Sequence, residues 1–524
     1  MTGLAPGIRI LNKCTGPWSD KCGRIYIFIA SFLVYASFHL SRKPISVVKS
    51  VLHGNCVETA EREGKIIVPE NASFCYWKPF DKDNYASLFG ALDLGFLASY
   101  AVTMFLAGHI ADRFHLRVFL TFGCILTGIM TCVFGLGYYL KIHSFAFYLI
   151  VQIISGAFQS SGWPAAVACM GNWFGKARRG FFMGVWNAHT SVGNILGSLI
   201  AGAFVESDWA LSFIVPGLII AIVGVLVFFF MVPYPEEVGI RPPNAPLAAK
   251  DEFDYTIQSS TSGATSSVPE NHPQQTVNGD GLAIVDLEDL TGSTVDLVTS
   301  TEAKTGAVSI IRAIRVPGVI EYSFALFFAK LVSYTFLFWL PQYIMEAGKF
   351  DPSDSAVLSI VFDIGGIAGG VLAGYISDRT SASATVCVAM LILGIPSLYL
   401  YYAYGILSAT NCIVLLIPLG LFVNGPYALI STAITADLGT HPSLQSDARA
   451  LSTVTGIIDG TGSAGAALGP LFCGLLAPYG WFAVYLMLML SLLLGALFLI
   501  RRVREELRSC VRRRYRPSLI GPSI

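Results

Sequence analysis

The stretch Gly108-His109-Ile110-Ala111-Asp112-Arg113 and its echo Gly374-Tyr375-Ile376-Ser377-Asp378-Arg379 decide how the chain is read. Each closes an apolar run, the second such run in its half of the chain. In this pattern the glycine lets two helices approach closely. The aspartate can accept from the N–H groups of a neighbouring helix N-terminus, and the arginine can reach an adjacent carboxylate, so the motif reads as a latch on one membrane face. A charged turn would account for one copy, whereas two copies at matching positions imply a duplicated unit. Gly162-Trp163-Pro164 and Asn424-Gly425-Pro426-Tyr427 repeat the echo in the fourth and tenth runs.

Outward from these motifs, composition names the solvent. Of 524 residues, 54% are hydrophobic and 13% charged, with a mean hydropathy of +0.62. A soluble domain carries about 25% charged residues, so this chain has roughly half the charge needed to cover itself in water. Formal net charge is zero, so no global field points to nucleic acid. Twelve apolar runs stand at about 25–46, 86–107, 117–138, 145–172, 181–204, 210–232, 317–346, 355–376, 383–404, 411–436, 450–476 and 480–500. Each is near the ~20 residues that span a bilayer core. Backbone groups in hydrocarbon must be paired internally, so the runs are expected to be helices. The fold class is therefore an all-α membrane protein of twelve transmembrane helices, in two pseudo-symmetric six-helix halves at 25–232 and 313–500. Between them, 233–312 is polar and acidic, with Gln258 to Ser267 free of large apolar residues. That composition predicts a disordered linker.

Basic residues set the expected orientation. Arg113, Arg117, Lys176, Arg178, Arg179 and Arg379 fall in short loops on one side. The tail 501–524 joins them, with eight arginines against two glutamates from Arg501 to Arg516. By the positive-inside rule this side is cytoplasmic, with both termini inside. Residues 1–24 are polar and lack an apolar core with a cleavage site, so the first run is expected to serve as the insertion signal. The loop 47–85 then faces the lumen or exterior. It carries the sequon Asn71-Ala72-Ser73, where a glycan can be added, and Cys56 and Cys75. The two cysteines can form a disulfide on that oxidising side; the alternative is a pair of free thiols.

An ionisable residue inside a span is costly unless it faces a cavity or a partner, so it is a functional candidate. Tyr35, His39 and Arg42 share one face of the first run at i, i+4 and i+7. Arg42 and Lys43 are adjacent and point about 100° apart. Arg42 is favoured for the ligand, with Lys43 in support; the alternative is that both snorkel to the interface. Lys330 lies far from either end of the seventh run, with Tyr334 one turn on. It either meets a ligand or pairs with Asp363 or Asp459. His189, in the fifth run, either contacts a ligand or packs. Asp93, Asp363 and Asp459 read as packing or gating partners, with proton coupling as the alternative.

The duplicated G-x-x-x-D-R pattern resembles the loop signature of the major facilitator superfamily, whose architecture places a site between two halves near the midplane. Ser41-Arg42-Lys43-Pro44, Gly162-Trp163-Pro164, Gly171-Asn172-Trp173-Phe174-Gly175-Lys176 and His189-Thr190-Ser191-Val192-Gly193-Asn194-Ile195-Leu196-Gly197 resemble solute carrier family 37. These are sugar-phosphate exchangers of the organophosphate:phosphate antiporter group. The His189 stretch looks most like the glucose-6-phosphate exchangers, members one and two. The similarity covers nearly all the membrane-spanning chain. It implies substrate-contacting cations at Arg42, Lys43 and Lys330, an endoplasmic reticulum membrane location, and substrates that are a sugar phosphate and inorganic phosphate. In bacterial relatives the second-half cation would fall near Ser333 and the helix-five histidine at Thr190, so here both are displaced.

On that reading the protein is an antiporter. The competing readings are a proton-coupled organic-anion symporter using Asp93 or Asp363, and a non-transporting receptor or scaffold. The chain has no Walker-type G-x-x-x-x-G-K-[ST], H-E-x-x-H or G-x-S-x-G motif, so neither an enzyme nor a cofactor is expected. Gly456, Gly460, Gly462 and Gly465 in the eleventh run are expected to pack helices.

Overall fold

Proline and small polar residues decide where the spans break. The computed structural model describes residues 3–15, 18–53, 77–111, 114–174, 179–241, 310–439 and 450–514. Cys56, Asn71, Cys75, Asp112 and Arg113 lie outside these, as do residues 242–309 of the expected linker. The described regular elements are all helical. Among the described residues, eleven helices or helix pairs are long and apolar enough to cross a membrane. The remaining expected span, 181–204, is two shorter helices, Arg179–Asn187 and His189–Phe204, interrupted at Ala188.

The first span runs from Asp20 to Leu52, beyond its expected end at 46. Ser19 starts it, its hydroxyl accepting from the Cys22 N–H at 3.2 Å. Pro44 lacks an N–H, so the helix Asp20–Arg42 ends at Lys43 and a second piece, Pro44–Leu52, begins with proline in its first turn. Residues 47–52 are thus buried helix rather than loop, which corrects the loop boundary at 47. Their one charge, Lys49, is paired with Asp93, so they can stay out of water.

Three other spans differ locally from expectation. The fourth is Phe145–Gln159 joined to Gly162–Phe174. The tenth, Ala409–Leu429, widens into a π-helical turn over Ile430–Ile434 before Thr435–Gly439, with the Thr435 hydroxyl donating to the Ile430 carbonyl at 2.6 Å. The eighth, Pro352–Thr380, contains the whole of Gly374–Arg379, which is therefore the end of a helix and not a loop; Ser381, at φ 53°, stops it. A Cβ at Gly374 would meet nothing within 4 Å, so close helix contact is not what this glycine supplies here. Arg379 lies over the Tyr375 ring at 5.3 Å.

Within the bundle, the seventh span (Val319–Gly348) packs along the eleventh (Ala450–Leu476), and the eighth along the tenth. Small residues set the closest approach. At Gly465 any Cβ would collide with the Phe327 carbonyl, as expected for a helix-packing glycine. Exposed Leu33, Phe122, Leu218, Leu393 and Leu490 belong to an outer surface that suits lipid.

The start of the expected linker is structured. Pro235–Val238 forms a short 3-10 turn, and Glu237 meets His115 at 2.9 Å and Arg117 at 3.3 Å. Arg117 also donates to the Gly3 carbonyl at 2.8 Å, tying the N-terminal residues to the third span. Burial pushes the Glu237 carboxyl up to about 7, against the pull of Arg117.

Candidate functional site

Because the first span continues to Leu52, Arg42 and Lys43 stand at a helix break inside the bundle, 4% and 1% exposed. Neither snorkels. The Arg42 Nε donates to Gln159 Oε1 at 3.0 Å, and Gln159 in turn donates to the Ser41 hydroxyl at 3.1 Å. A second guanidinium nitrogen reaches the Tyr334 hydroxyl at 3.4 Å, across the interface between the halves. The guanidinium carbon lies 4.9 Å from the Tyr100 ring centroid and 5.5 Å from that of Phe96. Among the described residues no carboxylate lies within ion-pair distance of Arg42, so its charge is held by neutral groups alone.

Lys43 points elsewhere, as the 100° offset requires. Its Nζ donates at 2.9 Å to the carbonyl of Leu337. That carbonyl is available because Pro341, four residues on, has no N–H to give it. Lys43 also interacts electrostatically with Asp363. The two cations line different cavities. Arg42 borders one of about 320 Å³ with Gln152, Thr131 and Phe338. Lys43 borders one of about 670 Å³ between the halves, with His39, Asn194, Tyr334 and Asp363.

Lys330, 4% exposed, forms an ion pair with Asp459 at 2.7 Å and lies 5.6 Å from the Tyr427 ring, so the salt-bridge alternative is the geometry found. His189 sits in an aromatic box. Its ring centroid is 4.6 Å from Tyr35, 4.4 Å from Trp186 and 5.8 Å from Phe32. Both of its ring nitrogens are buried, with no hydrogen-bond partner among the described residues. Lys330, His189 and Tyr35 line neither cavity, whereas Thr190, beside His189, lines the larger one.

Sequence reasoning missed Lys49 by leaving it in a loop. It is fully buried, 2.5 Å from Asp93 Oδ2, and it donates to the Phe338 carbonyl at 3.2 Å with the Trp339 ring centroid 4.4 Å away. The signal was there: Arg42 and Lys49 are seven apart, on one helical face, with proline suited to start the second piece. A chain of polar groups was missed as well. His39 Nδ1 contacts Asn194 Oδ1 at 3.2 Å, and Asn194 Nδ2 donates to Asp363 Oδ1 at 2.9 Å. Together with Tyr85 to Glu346 at 3.0 Å, these contacts join first-half to second-half spans in the bundle's middle and toward the face opposite the first span's N-terminus.

The model of the Major Facilitator Superfamily matches residues 80–446. The chain belongs to the major facilitator superfamily. Within this superfamily it is 48% identical over 508 residues to the glucose-6-phosphate exchanger SLC37A2 of Xenopus laevis, covering 97% of each chain. It is 46% identical over 528 residues to the glucose-6-phosphate exchanger SLC37A1 of Homo sapiens, again 97% of each. Identity at this level over whole chains puts it in the same family as those exchangers. Among solved structures, the major facilitator architecture is matched by a bacterial homolog of the human lysosomal transporter Spinster in an inward-facing, unoccupied conformation. That match has a TM-score of 0.53 and 15% identity, over 94% of this chain and 99% of that one. It concerns the fold alone. The major facilitator plan accounts for the two halves, the cavity at their interface and the interrupted spans beside it.

Proposed function

We propose that the protein is an antiporter exchanging a sugar phosphate, glucose 6-phosphate first, for inorganic phosphate by alternating access. Arg42 carries this reading. It is a buried guanidinium without a carboxylate among the described residues, at a helix break, touching a tyrosine of the opposite half. A phosphate monoester brings about −1.5 to −2 charges at pH 7, and the planar fork of arginine can clamp two of its oxygens. The relatives' description as glucose-6-phosphate exchangers supports the same substrate class.

Exchange follows from charge. With no anion, Arg42 and Lys43 hold buried positive charge against the second half, which disfavours the rearrangement that switches access. Either sugar phosphate or inorganic phosphate compensates that charge and permits it. Lys330 is the second-half cation. To meet substrate it must exchange Asp459 for phosphate, so binding and release of that ion pair are linked. His39 and Tyr334 border the larger cavity beside these cations, and Tyr35 and His189 pack behind them.

The basic segment from Arg501 supports a cytoplasmic face for both termini. The external loop then carries Asn71 as a glycan acceptor and Cys56 and Cys75 as a disulfide. Family resemblance supports the endoplasmic reticulum membrane. On the terminal face Asp378 and Arg379 and their counterparts Asp112 and Arg113, with Gly108 and Gly374, act as gating elements. Reconstituted protein tests the exchange directly. Labelled glucose 6-phosphate should enter phosphate-loaded vesicles at least about tenfold faster than empty ones. Equal uptake into both, driven by a pH gradient, would refute it.

A further inference from the structure

The lining of the larger cavity is chemically mixed, and only part of it suits phosphate. Lys43 is its one cationic lining residue, and Tyr334, whose hydroxyl Arg42 touches, lines it as well. Asp363, on the eighth span and 5% exposed, is the one carboxylate among the residues that line it. A buried carboxylate offers only acceptors. Toward phosphate, itself almost all acceptor, it is repulsive. Toward the hydroxyls of a sugar it is a strong acceptor, able to take two adjacent O–H groups at once.

The setting of Asp363 favours this use. Asn194 donates to its Oδ1 at 2.9 Å, while the Asn194 carbonyl oxygen faces the ring nitrogen of His39 at 3.2 Å. If that nitrogen is the protonated one, the amide is oriented with its NH2 on Asp363, and the carboxylate is fixed by a chain running back to the first span. Lys43 supplies a neighbouring positive charge without an ion-pair contact. Ser333 gives an independent indication. It lines the same cavity at 5% exposure, and its hydroxyl has no hydrogen-bond partner among the described residues. A buried hydroxyl left unpaired is costly unless something else completes it. A polyhydroxylated ligand would.

We propose that Asp363, positioned by Asn194 and assisted by Ser333, reads the hydroxyls of the sugar, and so determines specificity for polyol phosphates over inorganic phosphate and over phosphate esters without hydroxyls. This rests on the exchange reading above and extends it. Inorganic phosphate needs the cations alone, so its homoexchange does not need a hydroxyl acceptor at Asp363. The selectivity arises in both directions: the carboxylate attracts the hydroxylated part of the right substrate and repels a second phosphate there.

The test uses full-length protein in phosphate-loaded vesicles and compares two reactions, phosphate:phosphate homoexchange and glucose 6-phosphate:phosphate exchange. Asp363→Asn keeps the acceptor that Asn194 needs and removes the charge. It should raise KM for glucose 6-phosphate about tenfold or more, the loss expected for a hydrogen bond to a charged group. Phosphate homoexchange should stay within about twofold of wild type, and the preference for glucose 6-phosphate over methyl phosphate as competitor should collapse. Ser333→Ala, a smaller change, should raise the sugar-phosphate KM about threefold with homoexchange unchanged. If Asp363→Asn lowers both exchanges in parallel, or changes neither, the assignment is overturned. If wild-type protein carries out neither exchange, the functional reading itself fails, which the wild-type vesicles report before any variant is considered.

Discussion

The Nζ of Lys43 donates at 2.9 Å to the backbone carbonyl of Leu337. Pro341 has taken that carbonyl's helical partner away, so a lysine of the first half completes a helix of the second. Lys49 donates to the next carbonyl, that of Phe338, at 3.2 Å while remaining paired with Asp93. The seventh span is thus held to the first by two ammonium groups acting on adjacent carbonyls.

Lys49→Met removes one of these ties and leaves Asp93 buried without its partner. The closed contact on that face should weaken. Leu88 of the second span is half-buried against the apolar cluster that contains Phe338, so in a background lacking the native cysteines Leu88→Cys should react several-fold faster with a membrane-impermeant maleimide when Lys49→Met is present. An unchanged labelling rate would show that Lys49 does not hold this face closed.

For Lys330 and Asp459, structural and functional roles separate by pairing the substitutions. Lys330→Ala alone strands Asp459, and breaking a buried pair costs about 3–5 kcal/mol, so the thermal transition of the purified protein should fall sharply. Lys330→Met with Asp459→Leu should recover most of the transition temperature but not exchange. Recovery of both would make the pair purely structural.

Much of this was legible in the chain. Twelve spans, their six-plus-six division and the buried cations follow from hydropathy and from charges that lipid does not tolerate. The misses share a cause. Lys49 interrupts an apolar run, so a hydropathy reading ends the span early; only its pairing with Asp93, distant in sequence, lets the helix continue. Asn194 and Asp363 lie 169 residues apart, and no spacing rule brings them together. Gly374 to Arg379 looked like a loop because charge and glycine mark turns, yet helix packing carries the eighth span through to Thr380. Tertiary partners decide such positions, and local sequence does not contain them.

Glu237 predicts a pH dependence away from the substrate site. Its carboxyl is raised by burial from 4.5 to about 7 in the folded protein. The folded state therefore holds an extra proton between those values. Its contribution to stability is greatest below about 4.5 and falls as pH rises toward 7, levelling above it. Glu237→Gln fixes the neutral form. Its melting temperature should exceed wild type at pH 8, and the difference should shrink at pH 5. A difference independent of pH would remove Glu237 as its source.

Arg42→Lys keeps the charge and loses the planar fork. With the bidentate clamp gone, sugar-phosphate exchange should fall by at least about tenfold, while the protein still inserts and melts near the wild-type temperature. Wild-type KM in this variant would mean that a point charge suffices.

The central claim is that a phosphate group compensates Arg42 and thereby permits the switch between access states. Phosphate:phosphate homoexchange by Arg42→Ala in phosphate-loaded vesicles tests it most directly, because it needs no sugar recognition and no ion gradient. The account predicts exchange indistinguishable from protein-free vesicles, with the variant present in the membrane at wild-type amounts. Homoexchange at the wild-type rate would contradict it.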